Sequence, residues 1–267
     1  MKILRFASLA FAVASTLPAQ TPSVANLSTR AQVGTGGDII ITGFNIGSGG
    51  NKTVLIRATG PALAGFGVTG TLANPRLELF SGSTRLAEND NWGTAVGTAT
   101  LATAATFSSV GAFQLTAGSL DAALVATLSP GGYTAQVSGV GGGTGVALVE
   151  VYEVGALGAR LTNISTRAQV GTGGNILIPG LVISPGTGTR RLLIRAAGPA
   201  LTPLGVTGVL ANPTMVVTNA AGATVARNDN WSTPLDTGAA TAAALSTAFA
   251  QNGAFNFTPP VPCSMFG

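Results

Sequence analysis

Short runs of alternating apolar and polar residues, broken by clusters of Gly, Ser and Asn, fill the chain from about residue 26 to residue 154. A period of two puts successive side chains on opposite faces of an extended backbone, so these runs predict strands with one face buried. Strands are expected over residues 26–33, 38–46, 53–58, 76–80, 84–88, 122–128, 133–138 and 146–154. Gly-, Ser- and Asn-rich turns fall at 34–37, 49–51, 81–83, 131–132 and 141–145. Arg76-Leu77-Glu78-Leu79-Phe80 and Thr134-Ala135-Gln136-Val137 show the alternation most clearly. The Ala- and Thr-rich stretch 96–107 lacks it and predicts one short helix over an end of the strands.

The same pattern then begins again. Asn26 to Gly37 (NLSTRAQVGTGG) returns as Asn163 to Gly174 (NISTRAQVGTGG), and Leu55 to Leu63 (LIRATGPAL) as Leu193 to Leu201 (LIRAAGPAL). GVTGTLANP from Gly67, NDNW from Asn89 and GAF from Gly111 recur from Gly205, Asn228 and Gly253. Five matches in order mark an internal repeat, and the places where their spacing drifts mark surface loops. The fold class this predicts is all-β: two tandem β-sandwich modules of immunoglobulin or jelly-roll type, with at most one short helix each. The divisions are a leader at 1–20, a first repeat at 21–157, a second at 158–257 and a non-repeat tail at 258–267. After GAF the second copy has no counterpart of the last three strands. Roughly ten large apolar side chains would be missing from one core, at about 1.5–3 kcal/mol each. That exceeds the ~5–15 kcal/mol stability of a whole domain. The second copy therefore reads as a truncated or frame-shifted gene copy. The sharper alternative is a module completed by a strand from a partner chain.

Lys2 and Arg5, an apolar stretch from Phe6 to Leu17 and a helix-breaking Pro18 have the layout of a secretory signal peptide, with cleavage expected near Ala19 or Gln20. The apolar stretch is too short to cross a bilayer, and no longer one follows, so no transmembrane segment is expected in the mature chain. Without Lys2 and Arg5 the chain carries 11 basic against 9 acidic residues, and aromatic residues make up only 6%. Nucleic-acid binding needs a basic stripe and stacking platforms, and neither is present. The single Cys263 cannot form an internal disulfide, so the cores alone must hold the fold.

The chemistry is defined mostly by exclusion. The chain has no His, which removes Ser–His and Cys–His nucleophiles and His-based zinc sites. Lys52 is the only lysine after the leader and falls in a loop, with Thr189 in its place in the second copy. Carboxylate pairs of the glycosidase kind fare little better. Asp38, Glu78 and Glu88 become Asn175, Val216 and Arg227, and only Asp90 returns as an acid, at Asp229. Asp121, Glu150 and Glu153 lie in the part the second copy lacks, and a hydrolase would need two carboxylates in a cleft, with Asp121 and Glu150 as the candidate pair. GTGG leads into a strand and lacks the Gly-Lys ending of a phosphate loop. The one local cluster with binding chemistry is NDNW: Asn89, Asp90, Asn91 and Trp92, repeated as Asn228, Asp229, Asn230 and Trp231. Its oxygens could contribute to a Ca²⁺ site and its Trp could stack on a sugar. One carboxylate per copy is few for calcium, however, and Asn and Asp are common turn formers. Arg30/Arg167 and Arg57/Arg195 recur in strands and need charge partners. Asp90/Asp229, as the only recurring acid, is the expected one.

Taken together, NLSTRAQVGTGG, LIRATGPAL, LANP, NDNW and GGYTAQVSGVGGGTGVALVEVYEV resemble a repeat module of large secreted or surface proteins of environmental bacteria. The closing segment is also similar to the end of pre-peptidase C-terminal-type β-sandwich domains. The resemblance implies a non-catalytic structural or adhesive role outside the cytoplasm. Carbohydrate or Ca²⁺ binding by an accessory module is the alternative. The partners expected are a cell-surface polymer or another repeat chain and, for the incomplete second copy, a strand donor. No catalytic residue and no cofactor other than Ca²⁺ come into question.

Overall fold

The structure, a computed structural model, describes residues 22–94, 99–155, 158–233, 235–236, 239–257 and 264–266, the last three by their backbone alone. The expected cleavage site at Ala19 and Gln20, residues 96–98 of the expected helix and Cys263 lie outside the described residues.

The first copy is an antiparallel two-sheet sandwich. In chain order it contains β1 (Val24–Val33), β2 (Ile40–Ile46), β3 (Lys52–Thr59), β4 (Pro75–Ser81), β5 (Thr84–Asn89), β6 (Thr100–Leu101), β7 (Ala122–Leu128), β8 (Gly131–Gly139) and β9 (Gly145–Val154). The eight strands expected from alternation are all present, and only the two-residue β6 is additional. One sheet has the order β1-β9-β3-β7-β6 and the other β2-β8-β4-β5. Between them lies the main core, with Val33, Ile40, Ile56, Leu77, Leu79 and Val137 fully buried. The helix α1 (Ala104–Ser109) starts later than expected, because the Thr103 hydroxyl accepts from the Thr106 amide and caps it there. Beneath it Phe107, Leu55, Leu115 and Tyr152 form a second, smaller core on the outer face of the β3 sheet. With packing on both faces, β3 is buried at every position but Thr53. It also begins one residue earlier than expected. Lys52 is not in a loop: it is buried at the start of β3, where its ammonium donates to the Gly155 carbonyl at 2.6 Å and lies 3.5 Å from Glu153.

The glycine of the repeated RAxGPAL motif has a steric cause. A Cβ at Gly60 would lie 2.1 Å from the Leu72 carbonyl oxygen, and one at Gly198 would lie 2.0 Å from that of Leu210. Only Gly lets the two backbones approach this closely.

The second copy contributes β10 (Leu161–Arg167), β11 (Ile178–Ile183), β12 (Leu193–Arg195), β13 (Met215–Thr218), β14 (Thr224–Asn228), α2 (Ala242–Gln251) and β15 (Ser264–Phe266). Its first two strands join the first sandwich. β10, the counterpart of β1, pairs with β2, while β11, the counterpart of β2, pairs with β1. The sheets thus become β11-β1-β9-β3-β7-β6 and β10-β2-β8-β4-β5. Ala159 and Leu161 are buried in the first copy's main core. The remaining strands form two separate pairs, β12 with β15 and β13 with β14.

Candidate functional site

In NDNW the first Asn carries the structural work. The Asn89 amide donates to the carbonyls of Asn91 and Thr94 at 3.0 and 2.7 Å, and its oxygen accepts from the Ala123 amide at 3.0 Å. The loop after β5 is thereby tied to β7. Asp90 accepts from the neighbouring Asn91 amide at 2.9 Å. Trp92 is half-buried against Phe107, and its indole donates to the Thr116 carbonyl at 3.0 Å. In the second copy Asn228 repeats the bond to the Thr233 carbonyl at 3.5 Å, Asp229 and Asn230 follow in the turn, and Trp231 is buried at 4% exposure against Phe249 and Phe257. Among the described residues no three acidic or Cys side chains gather as metal ligands. Asn89, Asp90, Asn91 and Trp92 sit together as expected, but as a loop anchor rather than an open platform.

The expected Arg–Asp90 pair is not formed. Among the described residues neither Asp90 nor Asp229 makes an ion pair, and neither does Arg30 or Arg167. Arg57 pairs with Glu150, which stands directly opposite it on β9. Its Nε and Nη2 donate to Glu150 Oε2 at 2.9 and 2.5 Å, and its Nη1 donates to the Phe113 carbonyl at 2.6 Å. The guanidinium carbon also lies 4.1 Å from the Phe113 ring centroid, in cation–π range. Tyr152 completes the site by donating to Glu150 Oε1 at 2.7 Å. Burial, and then the Glu150 charge, push the Tyr152 phenol well above its ordinary pKa. The expectation failed because it required the partner to recur. Glu150 lies in the part of the module with no second copy, although cross-strand register makes it Arg57's nearest acid.

Asp121 and Glu150, the pair a hydrolase would need, are both buried and engaged structurally. Asp121 accepts from the amides of Gly60 and Ala62 at 2.8 and 3.2 Å and from the Ser119 hydroxyl at 2.8 Å. It holds the start of the 3-10 helix Pro61–Phe66. A carboxylate with every oxygen satisfied in this way is a poor general acid or base. The third buried acid, Glu153, takes Arg160 at 2.7 Å and the Leu161 amide at 2.6 Å, besides Lys52. It fixes the chain where the first copy passes into the second.

The junction between the copies is an extended interaction surface built from strands, and it has pseudo-two-fold symmetry. Leu27↔Leu181, Ser28↔Gly180, Thr29↔Pro179 and Arg30↔Ile178 on one side match Ile164↔Phe44, Ser165↔Gly43, Thr166↔Thr42 and Arg167↔Ile41 on the other. Each residue pairs with the counterpart of its mate's partner, and both pairings shift register at the same place. Residues related by the repeat meet on the axis: Thr29 and Thr166 hydroxyls lie 3.0 Å apart, and Gln32 bridges Gln169. The ends match as well, with the Ser184 amide on the Ser23 carbonyl and the Gly47 amide on the Arg160 carbonyl. Two glycines permit the approach, since a Cβ at Gly43 would lie 2.8 Å from Ser165 Oγ and one at Gly180 2.9 Å from Ser28 Oγ. An isologous surface must fit itself, so every residue in it serves twice. This accounts physically for the near-identity of NLSTRAQVGTGG and NISTRAQVGTGG.

The second copy keeps the smaller core but not the main one. Trp231, Leu245, Phe249 and Phe257 pack under α2 as Trp92 and Phe107 do under α1. By contrast Leu181 and Leu210 are 41% and 42% exposed, where Phe44 and Leu72 are 2% and 1% exposed. Arg195 reproduces half of the Arg57 site. It donates to the Phe255 carbonyl at 2.8 Å and lies 4.5 Å from the Phe255 ring centroid. Among the described residues no carboxylate faces it and its buried Nε has no acceptor, and burial lowers its pKa to about 10. No protein-family model, curated protein or solved structure matches this chain.

Proposed function

We propose that this chain is a non-catalytic structural protein of the extracellular space or cell surface, with an adhesive role exercised through contacts between its repeat modules. The observation that carries the reading is the edge-to-edge junction, in which β1 and β2 of one copy pair with β11 and β10 of the other in a single repeated register. Backbone pairing along a sheet edge supplies cohesion without a ligand pocket, and alternate side chains supply register. The signal-like start, the repeat and the resemblance to surface modules support the same role. So does the structural engagement of each repeated motif: the STRAQVG strand at the junction, LIRA and GAF around the arginine, and NDNW at the loop anchor.

The test is partition of the mature chain onto insoluble chitin, cellulose and peptidoglycan with and without Ca²⁺, together with fractionation of the source cells. We expect the protein outside the cytoplasm and no saturable Ca²⁺-dependent capture by any of the three polymers. Capture that needs Ca²⁺ and is abolished by Trp92→Ala, with the thermal transition unchanged, would replace this reading with the carbohydrate-binding one.

A further inference from the structure

In the first copy β9 lies between β1 and β3, and β8 lies between β2 and β4. The second copy has counterparts of all four flanking strands: β10 and β12 for the first pair, β11 and β13 for the second. Among the described residues none of these edges is bridged, and β10 and β11 end their sheets. β15 does not fill either position. It pairs with β12 and touches β14, as β7 pairs with β3 and touches β5. The edges of β11 and β13 are flanked by exposed apolar residues, Ile178, Leu181, Val182 and Val216. An open edge with an apolar face is a template for strand addition.

Arg195 indicates which strand fits. Its counterpart Arg57 is held by a carboxylate from the strand missing here, and the same register on β9 places Glu150 opposite both Ser28 and Arg57. A strand between β10 and β12 would therefore set one residue between Ser165 and Arg195. That residue should be Glu, because the Arg195 Nε is already buried and lacks an acceptor. We propose that the second copy is a strand acceptor. Its vacant positions take an extended segment with the module's own β8–β9 pattern, running antiparallel to β10 and β12 with a glutamate opposite Arg195.

The test uses the full mature chain and a synthetic peptide of residues 131–154, labelled for fluorescence anisotropy. We expect saturable 1:1 binding, weakened at least about tenfold by a Glu150→Gln peptide, since a buried charged pair loses that much when one partner is neutralised. With an Arg195→Met chain the Glu and Gln peptides should bind alike. Arg195→Lys should keep part of the discrimination, because it retains the charge without the fork. Trp emission and the thermal transition establish that each variant is folded, and the peptide change needs no variant of the chain at all. The proposal is overturned if the peptide does not bind, or if the Glu and Gln peptides bind the unaltered chain equally. Polymer capture bears only on the functional reading above and leaves this result standing.

Discussion

Glu150→Ala is expected to cost about 3–5 kcal/mol, because it strands the fully buried Arg57 without a counter-charge. For a chain of this size that lowers the melting temperature by roughly 6–20 °C. The size follows from what remains behind. Arg57 would keep one carbonyl and its aromatic neighbours but lose both bonds to Glu150 Oε2, and Tyr152 would lose its acceptor. Removing both charges together, as Arg57→Met with Glu150→Leu, should cost much less, because no buried charge is left unpaired. The repeat supplies a further control. Arg195→Met should be neutral or stabilising, since Arg195 bears the desolvation without the pair. Calorimetry on the four proteins checks the set. A Glu150→Ala loss no larger than the ~0.5 kcal/mol typical of surface changes would mean that the pair does not hold the core.

The second large effect concerns the junction. Gly43→Val and Gly180→Val each push a Cβ into a serine hydroxyl of the facing strand, at 2.8 and 2.9 Å. Overpacking of this kind costs about 1–3 kcal/mol per site. Because the sites are related by the repeat, the two single variants should lose similar amounts, and the double variant should release β10 and β11 from the first sandwich. Trypsin reports this directly, since Arg167 lies within β10. Where cleavage follows the population of the opened form, the double variant should be cut after Arg167 at least about thirtyfold faster. Cleavage after Arg190 and Arg191, already exposed, should not change. Equal rates after Arg167 would mean that these strands are not paired as described.

Much of this fold was legible in the sequence because alternation reports burial directly. Eight of the first copy's nine strands follow from period-two patterning and turn residues, and the Asn-Asp-Asn turn follows from side chains that bond their own backbone. Alternation says which face of a strand is buried, but not which strand lies along each edge. NLSTRAQVGTGG was therefore visible as a repeat and not as a junction: pairing β1 with β11 rather than with a strand of its own module changes no periodicity. The arginine site was missed for a related reason. Arg57 and Glu150 are 93 residues apart and become neighbours only through the β3–β9 register. Asp90 recurs with the repeat and Glu150 does not, yet it is Glu150 that stands opposite Arg57. A lysine beside Gly and Asn ordinarily lies on the surface, and at Lys52 the buried Glu153 overrides that tendency.

The most direct test of the module junction is a disulfide across its axis. Thr29 and Thr166 occupy the same repeat position, with hydroxyls 3.0 Å apart, so Thr29→Cys with Thr166→Cys should oxidise readily in a Cys263→Ser background. The pairing described here predicts a single intramolecular cross-link, seen by mass spectrometry as one peptide pair joining residues 29 and 166 in a monomeric chain. Free thiols after oxidation, or a link formed only between two chains, would contradict it.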